Sequence, residues 1–135
     1  MRAVAVRAKE LRYAVDLTTA GELTDENGVA LDAPAEWSPE HLLLAALVRC
    51  SLKSLRYHAG RSGIEVEHAH GSARAVVARR ESDDRYAFVE CDVDLDVRFS
   101  PEPGEHELEA LLAKAERDCF IGASLTVKPT YSWTT

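Results

Sequence analysis

The sequence predicts an α+β fold with the element order βββ-α-ββ-α-β, and three observations indicate it. Apolar and polar residues alternate over the first third of the chain and again from about residue 64 to residue 99, which is the period-two pattern of half-buried strands. Two stretches, after Ser38 and after Gly104, instead carry apolar residues at helical spacing. Because the strands fall into blocks around these two helices, the order favours α+β over repeated βαβ units.

Length and composition indicate one globular domain over residues 1–135. The formal net charge of −7 argues against a nucleic-acid partner or an anionic membrane, since both bind basic surfaces. No apolar run is long enough to cross a membrane, and the N-terminus lacks the pattern of a secretory signal. Three widely spaced cysteines form an odd set, which is typical of free or catalytic thiols in a reducing compartment such as the cytoplasm.

The N-terminal third predicts three short strands. Val4 and Val6 share one side of the first strand, and Leu11–Leu17 alternates as the second. The segment Thr24–Gly28 contains an Asn-Gly pair and predicts a turn. Val29–Leu31 then forms the third strand.

The first helix has the clearest start in the chain. Ser38 is a good N-cap, Pro39 suits the first helical position, and Glu40 complements the helix dipole. We expect the helix to run to about Ala59, with Gly60 in the left-handed conformation that ends it. The central run Leu42–Val48 is apolar all round. Such a helix is buried on every side, so it needs a second helix to cover it, and a second chain is a further candidate.

The C-terminal half predicts two long strands, a helix and an edge strand. Residues 89–99 alternate between apolar and mostly acidic side chains, which is typical of an antiparallel strand with one solvated face. The second helix carries Cys119 on its apolar stripe, and Gly122 is its predicted end. Tyr131 and Trp133 share one face of the last strand, which Pro129 confines to an edge or a bulge.

The cysteines are the strongest candidates for chemistry. Cys91 lies mid-strand between valines, where a cysteine behaves as a small hydrophobic residue. Cys50 and Cys119 lie on inward faces of two helices that are expected to pack on each other, so they are candidates for a redox pair. His68 and His70 project from one strand face, but no third metal ligand is evident. His41, His58 and His106 lie near helix ends, and we expect them to be solvated.

Two segments resemble the OsmC/Ohr family. Ser38–Cys50 (SPEHLLLAALVRC) is similar to the family's central-helix motif, including the spacing from Glu40 to Cys50. Ala115–Leu125 (AERDCFIGASL) is similar to its second-cysteine region. The two motifs together are fairly specific, and the resemblance extends over most of the chain.

The resemblance implies an OsmC-like intertwined homodimer with two active sites between the subunits. It implies a thiol-dependent peroxidase that reduces small organic hydroperoxides. Cys50 attacks the peroxide and becomes a sulfenic acid, and Cys119 resolves it to a disulfide. No bound cofactor or metal is expected, because an external dithiol such as a lipoyl group restores both thiols. Glu40 is implied to belong to the same site.

The chain departs from the family pattern at the arginine that holds the thiolate. No arginine occurs from Tyr13 to Val48, so Arg7, Arg12 and Arg49 are the main candidates, besides Arg2. Phe120 also stands where many relatives have a proline. Two alternatives therefore remain open: a non-catalytic OsmC-like dimer that binds a small hydrophobic ligand, and a generic interaction domain with inert cysteines.

Glu40 raises a geometric conflict that a dimer would resolve. Glu40 and Cys50 are ten residues apart on one predicted helix, which corresponds to a rise of ~15 Å. No glutamate side chain spans that distance. An antiparallel partner helix would instead place Glu40 of one chain near Cys50 of the other. The simpler interpretation is that Glu40 only stabilises its own helix N-terminus.

Overall fold

The computed structural model describes residues 10–135 and confirms the α+β class. The predicted strand at Val4 and Val6, and the candidates Arg2 and Arg7, lie outside the described residues. The elements in chain order are β1 (Val15–Leu17), β2 (Leu23–Asp25), β3 (Ala30–Leu31), α1 (Pro39–Arg61), β4 (Glu65–Arg79), β5 (Tyr86–Ser100), α2 (Glu105–Arg117), α3 (Phe120–Ser124) and β6 (Thr130–Thr134). The chain divides into two compact units, Met1–Ser38 and Pro39–Thr135. The expectation of a single domain over residues 1–135 stays a prediction.

The N-terminal unit contains an antiparallel sheet of strand order β1-β2-β3. The predicted turn is present: Gly28 has φ 78°, and the Asp25 carboxylate accepts the backbone N–H of Asn27 and of Val29. Sequence reasoning missed β2, because it assigned Thr24 to the turn. It also made the preceding strand too long, since only its last three residues are strand.

Helix α1 begins at Pro39, immediately after Ser38, as predicted. It ends two residues beyond the predicted end, at Arg61, and Gly60 is still helical. The left-handed residue that terminates this region is Gly63, with φ 71°. The last turn of the helix is closed by backbone bonds from Ser62 and Ile64 to the carbonyl of Ala59, which explains the displaced end.

The C-terminal unit is built on a sheet of strand order β4-β5-β6. Strands β4 and β5 form a long antiparallel pair, and β6 pairs in parallel with β5 along one edge. The alternation of β5 is confirmed, because Cys91, Val93, Leu95 and Val97 are all buried. Pro129 immediately precedes the edge strand, where its missing N–H costs no ladder bond.

The second predicted helix is two helices. Helix α2 ends at Arg117, and Asp118 caps it with φ −97° and ψ 14°. Cys119 has extended backbone angles, φ −75° and ψ 110°, and is the N-cap residue of the five-residue helix α3. The prediction that Cys119 lies on a helical stripe was therefore wrong, as was Gly122 as the end of the second helix. We call the segment Asp118–Gly122 the junction.

The core lies between α1, α2 and the inner face of the sheet. One cluster of buried residues centres on Leu55 and Val97, and a second on Leu47, Val93 and Cys119. Within the run Leu42–Val48, however, only Leu47 is fully buried. In the single chain a three-stranded sheet and one helix thus leave part of the run uncovered, and its coverage by a second chain stays a prediction. No helix among residues 10–135 is long and apolar enough to span a membrane.

Candidate thiol site

The fold brings Cys50 and Cys119 together. Cys50 lies in the middle of α1 and is half-buried, whereas Cys119 lies in the junction and is fully buried. The neighbouring Cys119 acts on the pKa of the Cys50 thiol, and both side chains pack in the cluster around Leu47. The structure therefore places the two predicted cysteines in one cluster, although only Cys50 is in a helix interior.

Backbone N–H groups of the junction point at both sulfurs. The N–H of Ile121 donates to Cys50 Sγ at 3.5 Å, and that of Phe120 also acts on Cys50. The N–H of Gly122 donates to Cys119 Sγ at 3.4 Å. A Cβ at Gly122 would lie 3.2 Å from Tyr131 Oη and 3.6 Å from Cys119 Sγ, so the junction approaches its neighbours closely there.

Two hydroxyls complete the surroundings of Cys119. Ser51 Oγ lies 3.6 Å from Cys119 Sγ and 3.2 Å from Tyr131 Oη. Ser51 Oγ also donates to the carbonyl of Leu47 at 2.8 Å. Sequence reasoning missed both hydroxyls as site residues. The one available signal was the position of Ser51 beside Cys50 on a helix that was expected to be buried.

Burial raises the pKa of the Cys50 thiol. The N–H of Ile121 opposes that rise, while the neighbouring Cys119 reinforces it. Among residues 10–135, no arginine is among the main influences on this pKa. The departure from the family pattern at the arginine is therefore also visible in the chemistry of the site, because the described surroundings do not favour the thiolate.

The other predicted site residues lie elsewhere. Glu40 is exposed in the first turn of α1, so the rise of the helix separates it from Cys50 by ~15 Å. Arg49 is exposed on the same helix. Arg12 belongs to the N-terminal unit and pairs with Glu10 at 2.7 Å.

Cys91 is buried in β5, as expected of a packed strand residue. Burial and the neighbouring Asp92 raise the pKa of its thiol. Both conditions disfavour the thiolate, so Cys91 is suited to packing and not to nucleophilic chemistry.

The histidines divide into a structural residue and exposed ones. His58 was expected to be solvated, but its side chain is only 14% exposed and its Nε2 lies 2.7 Å from Asp118 Oδ2. This contact ties the end of α1 to the residue before Cys119. His68 and His70 are exposed on β4, and the residues from 10 onward contain no group of three ligands that could hold a metal.

The structure is similar to several solved proteins at low sequence identity. An OsmC-like protein of unknown function from Vibrio cholerae has 18% identity and a TM-score of 0.74, with 93% of this chain and 99% of that chain covered. The organic hydroperoxide resistance protein OhrB of Bacillus subtilis has 18% identity and a TM-score of 0.60, covering 91% of this chain and 96% of that one.

A third similar structure comes from Legionella pneumophila and is described as an organic hydroperoxide resistance protein OsmC and predicted redox protein. It has 20% identity and a TM-score of 0.60, with 97% of this chain and 100% of that chain covered. No curated protein matches the chain. The family described as OsmC-like protein matches residues 32–134, and the chain therefore belongs to the OsmC-like family.

Proposed function

We propose that the protein is a thiol-dependent peroxidase that reduces small organic hydroperoxides. The contact between the Cys50 and Cys119 thiols carries the proposal, because a peroxide-reactive cysteine needs a second thiol beside it to escape over-oxidation. Membership of the OsmC-like family and similarity to organic hydroperoxide resistance proteins support it. The half-buried Cys50 is the more accessible sulfur and is therefore the attacking one.

The reaction balances in three steps. The Cys50 thiolate attacks the terminal peroxide oxygen, the O–O bond breaks, and the alkoxide leaves as an alcohol after taking a proton. Cys50 is then a sulfenic acid. Cys119 displaces its hydroxyl group, so that a disulfide forms and water leaves. An external dithiol, such as a lipoyl group, then reduces the disulfide by thiol–disulfide exchange. No bound cofactor or metal is required.

We propose that the active form is an intertwined homodimer. In the single chain many large apolar side chains are exposed, and those in the N-terminal unit include Leu11, Tyr13, Val15, Leu17, Val29 and Leu31. Part of the run Leu42–Val48 is also uncovered. Apolar surface on this scale is typical of a protein interface. A second copy would cover it and could bring its own Glu40 to Cys50.

Activation of Cys50 needs a positive charge. Burial raises the pKa of its thiol, and an arginine beside the sulfur would lower it again. Arg7, Arg12 and Arg49 remain the candidates. Replacing each by glutamine tests them separately, since the responsible variant should lose peroxide reactivity most at neutral pH and recover part of it in alkali.

The deciding experiment measures consumption of an organic hydroperoxide with dihydrolipoamide as the reductant. Mass spectrometry of the peroxide-treated protein should find a Cys50–Cys119 disulfide, while Cys91 stays reduced. A Cys91→Ala variant is the matched control and should behave like the parent. Absence of turnover, or a disulfide that includes Cys91, would contradict the proposal.

Mixing variants tests the position of Glu40. Glu40→Gln and Cys50→Ser homodimers should both be inactive, but subunit exchange would create one site with both groups intact. Activity should then return in part. No recovery after verified exchange would place Glu40 outside the partner's site.

A second candidate is a non-catalytic dimer that binds a small hydrophobic ligand. The raised pKa of Cys50, with no arginine among its main influences within residues 10–135, favours it. Thermal stabilisation by apolar ligands without any peroxide turnover would support this alternative. If neither turnover nor ligand stabilisation is observed, the remaining interpretation is an interaction domain with inert cysteines.

A further inference from the structure

A buried polar cluster lies beside the thiol pair, and the proposed function gives it no role. Ser51 is 1% exposed and Cys119 is 0% exposed, so bulk water does not replace their partners. Ser51 Oγ contacts three groups: the Leu47 carbonyl at 2.8 Å, Tyr131 Oη at 3.2 Å and Cys119 Sγ at 3.6 Å. These contacts join α1, β6 and the junction.

The available hydrogens determine the direction of each bond. A serine hydroxyl has one hydrogen and two lone pairs. The Ser51 hydrogen goes to the Leu47 carbonyl, which can only accept. With that hydrogen used, the other two contacts are hydrogen bonds only when the Tyr131 hydroxyl and the Cys119 thiol donate to Ser51. A Cys119 thiolate has no hydrogen to give, so this arrangement fits the protonated form.

Cys50 has the opposite surroundings. Its sulfur accepts from the N–H of Ile121 at 3.5 Å, and a donor of this kind stabilises a thiolate. Cys119 also accepts one N–H, from Gly122, but it alone faces a hydroxyl oxygen with no hydrogen to offer. The contact with Ser51 therefore disfavours negative charge on Cys119, whereas Cys50 can carry the charge only against the rise in pKa that burial causes.

Within residues 10–135, the ionisable groups that act on this cluster come from three elements. They are Cys50 from α1, Tyr131 from β6 and Glu116 from α2. The Glu116 carboxylate accepts the indole N–H of Trp133 at 2.8 Å and adds negative charge near Tyr131. Burial strongly raises the pKa of Tyr131, so its hydroxyl keeps its hydrogen and remains a donor.

We propose that Ser51 and Tyr131 are positioning residues that hold Cys119 as a protonated thiol until Cys50 has been oxidised. This rests on the proposed function. In the closing step the Cys119 sulfur bonds to the Cys50 sulfur, the S–O bond breaks, and the hydroxide leaves as water with the thiol proton. Cys119 acts on the pKa of Tyr131, so the two groups are close enough for the Tyr131 hydrogen to turn from Ser51 to the sulfur as charge develops there.

Removing either hydroxyl should change the rate of disulfide closure by Cys119, but in opposite directions. Ser51→Ala deletes the acceptor and frees the Tyr131 hydrogen for the Cys119 sulfur. Cys119 should then react faster, and Cys50 more slowly, because the neighbouring charge opposes its own ionisation. Tyr131→Phe deletes the donor and keeps the acceptor, so closure by Cys119 should slow while the first attack by Cys50 is unchanged.

The test uses one equivalent of an aromatic disulfide, Ellman's reagent, in a Cys91→Ala background. Cys50 attacks the reagent and releases one aromatic thiolate. Cys119 then closes the disulfide, releasing a second thiolate and a proton. We expect Ser51→Ala to slow the first release and speed the second, with the pH profile of closure moved to lower pH. Tyr131→Phe should slow only the second. Each change should be about fivefold, as for one hydrogen bond.

Ser54→Ala is the matched control. Ser54 is a second buried hydroxyl on α1, and it donates to the Ala115 carbonyl at 2.8 Å, away from the thiols. It should leave both releases and their pH profiles unchanged. The proposal is wrong if Ser51→Ala and Tyr131→Phe change closure in the same direction, if Tyr131→Phe alone does not slow it, or if Ser54→Ala reproduces either effect. No peroxide is used, so failure of the proposed peroxidase activity would not imitate any of these results.

Discussion

The strand core around Cys91 and the junction around Cys119 share one apolar cluster, yet they treat a cysteine differently. Cys91 is held by regular strand pairing, and its surroundings raise the thiol pKa through burial and a neighbouring carboxylate. Cys119 lies at the break between α2 and α3, where a backbone N–H group and hydroxyls surround its sulfur. Regular pairing uses up the backbone donors of a strand, whereas a break between helices leaves them free to bind a sulfur.

The largest expected effect is the loss of the attacking sulfur. Cys50→Ser should reduce hydroperoxide turnover by about a thousandfold or more, since a hydroxyl at neutral pH is a far weaker nucleophile. Cys91→Ala should retain nearly full turnover in the same dithiol-coupled assay. Equal losses in both variants would erase the contrast between the two regions.

Removing Cys119 should separate the two halves of the reaction. Cys119→Ser should still allow one oxidation of Cys50, after which the sulfenic acid persists or proceeds to sulfinic acid. Intact-mass measurement after one equivalent of peroxide would find one or two added oxygens in place of a disulfide. If the first oxidation were lost as completely as in Cys50→Ser, the assignment of attacker and resolver would be wrong.

Substitutions at two glycines compare the stability of the strand core with that of the junction. A Cβ at Gly71 would lie 2.7 Å from Val48 Cγ1 and 2.8 Å from Leu95 Cδ2, so Gly71→Ala should lower the free energy of unfolding by about 1–3 kcal/mol. Gly122→Ala meets its nearest atom, Tyr131 Oη, at 3.2 Å. It should cost less stability and instead slow disulfide closure.

Denaturant unfolding and the rate of closure measure the two glycine effects separately. Gly60→Ala is a control, because a Cβ there meets nothing within 4 Å and alanine favours the helix. A Gly71→Ala protein with parental stability would show that the strand region repacks more easily than its contacts indicate.

The smallest expected effect concerns pH. A hydrogen bond from Arg117, with a further one from His58, holds the pKa of Asp118 below its usual range. A carboxyl group whose folded pKa is depressed stabilises the protein above its unfolded pKa, and that stability is lost as the pH falls. The parent should therefore lose stability between about pH 5 and pH 3 more steeply than Asp118→Asn. Parallel thermal-unfolding curves would contradict this role of Asp118.

Local chemistry explains what could be predicted from the sequence. The start of α1 follows from Ser38, Pro39 and Glu40, and the alternation of β5 follows from one buried face. The break before Cys119 could not be predicted in the same way. Apolar residues continue at helical spacing through Cys119 into α3, whereas Asp118, the C-cap of α2, has its partner His58 60 residues away.

The candidate site also combines features that local sequence predicts with features that depend on distant contacts. Motif spacing was enough to single out Cys50 and Cys119, because each lies in a recognisable segment. The hydroxyl partners could not be predicted, since Ser51 and Tyr131 are 80 residues apart and meet only when β6 pairs with β5. Contacts that depend on the order of strands in a sheet have no signature within a short stretch of sequence.

The position of Cys119 in the crossover between β5 and β6 has a consequence for the unfolded chain. A Cys50–Cys119 disulfide would close a loop of about seventy residues, which in the chain-entropy view stabilises the folded protein by about 4 kcal/mol. Oxidised and reduced forms would then differ in resistance to heat and to proteases. A cell short of reductant would accumulate the more stable oxidised form. The protein would therefore persist longest under the conditions in which it can no longer complete its catalytic cycle.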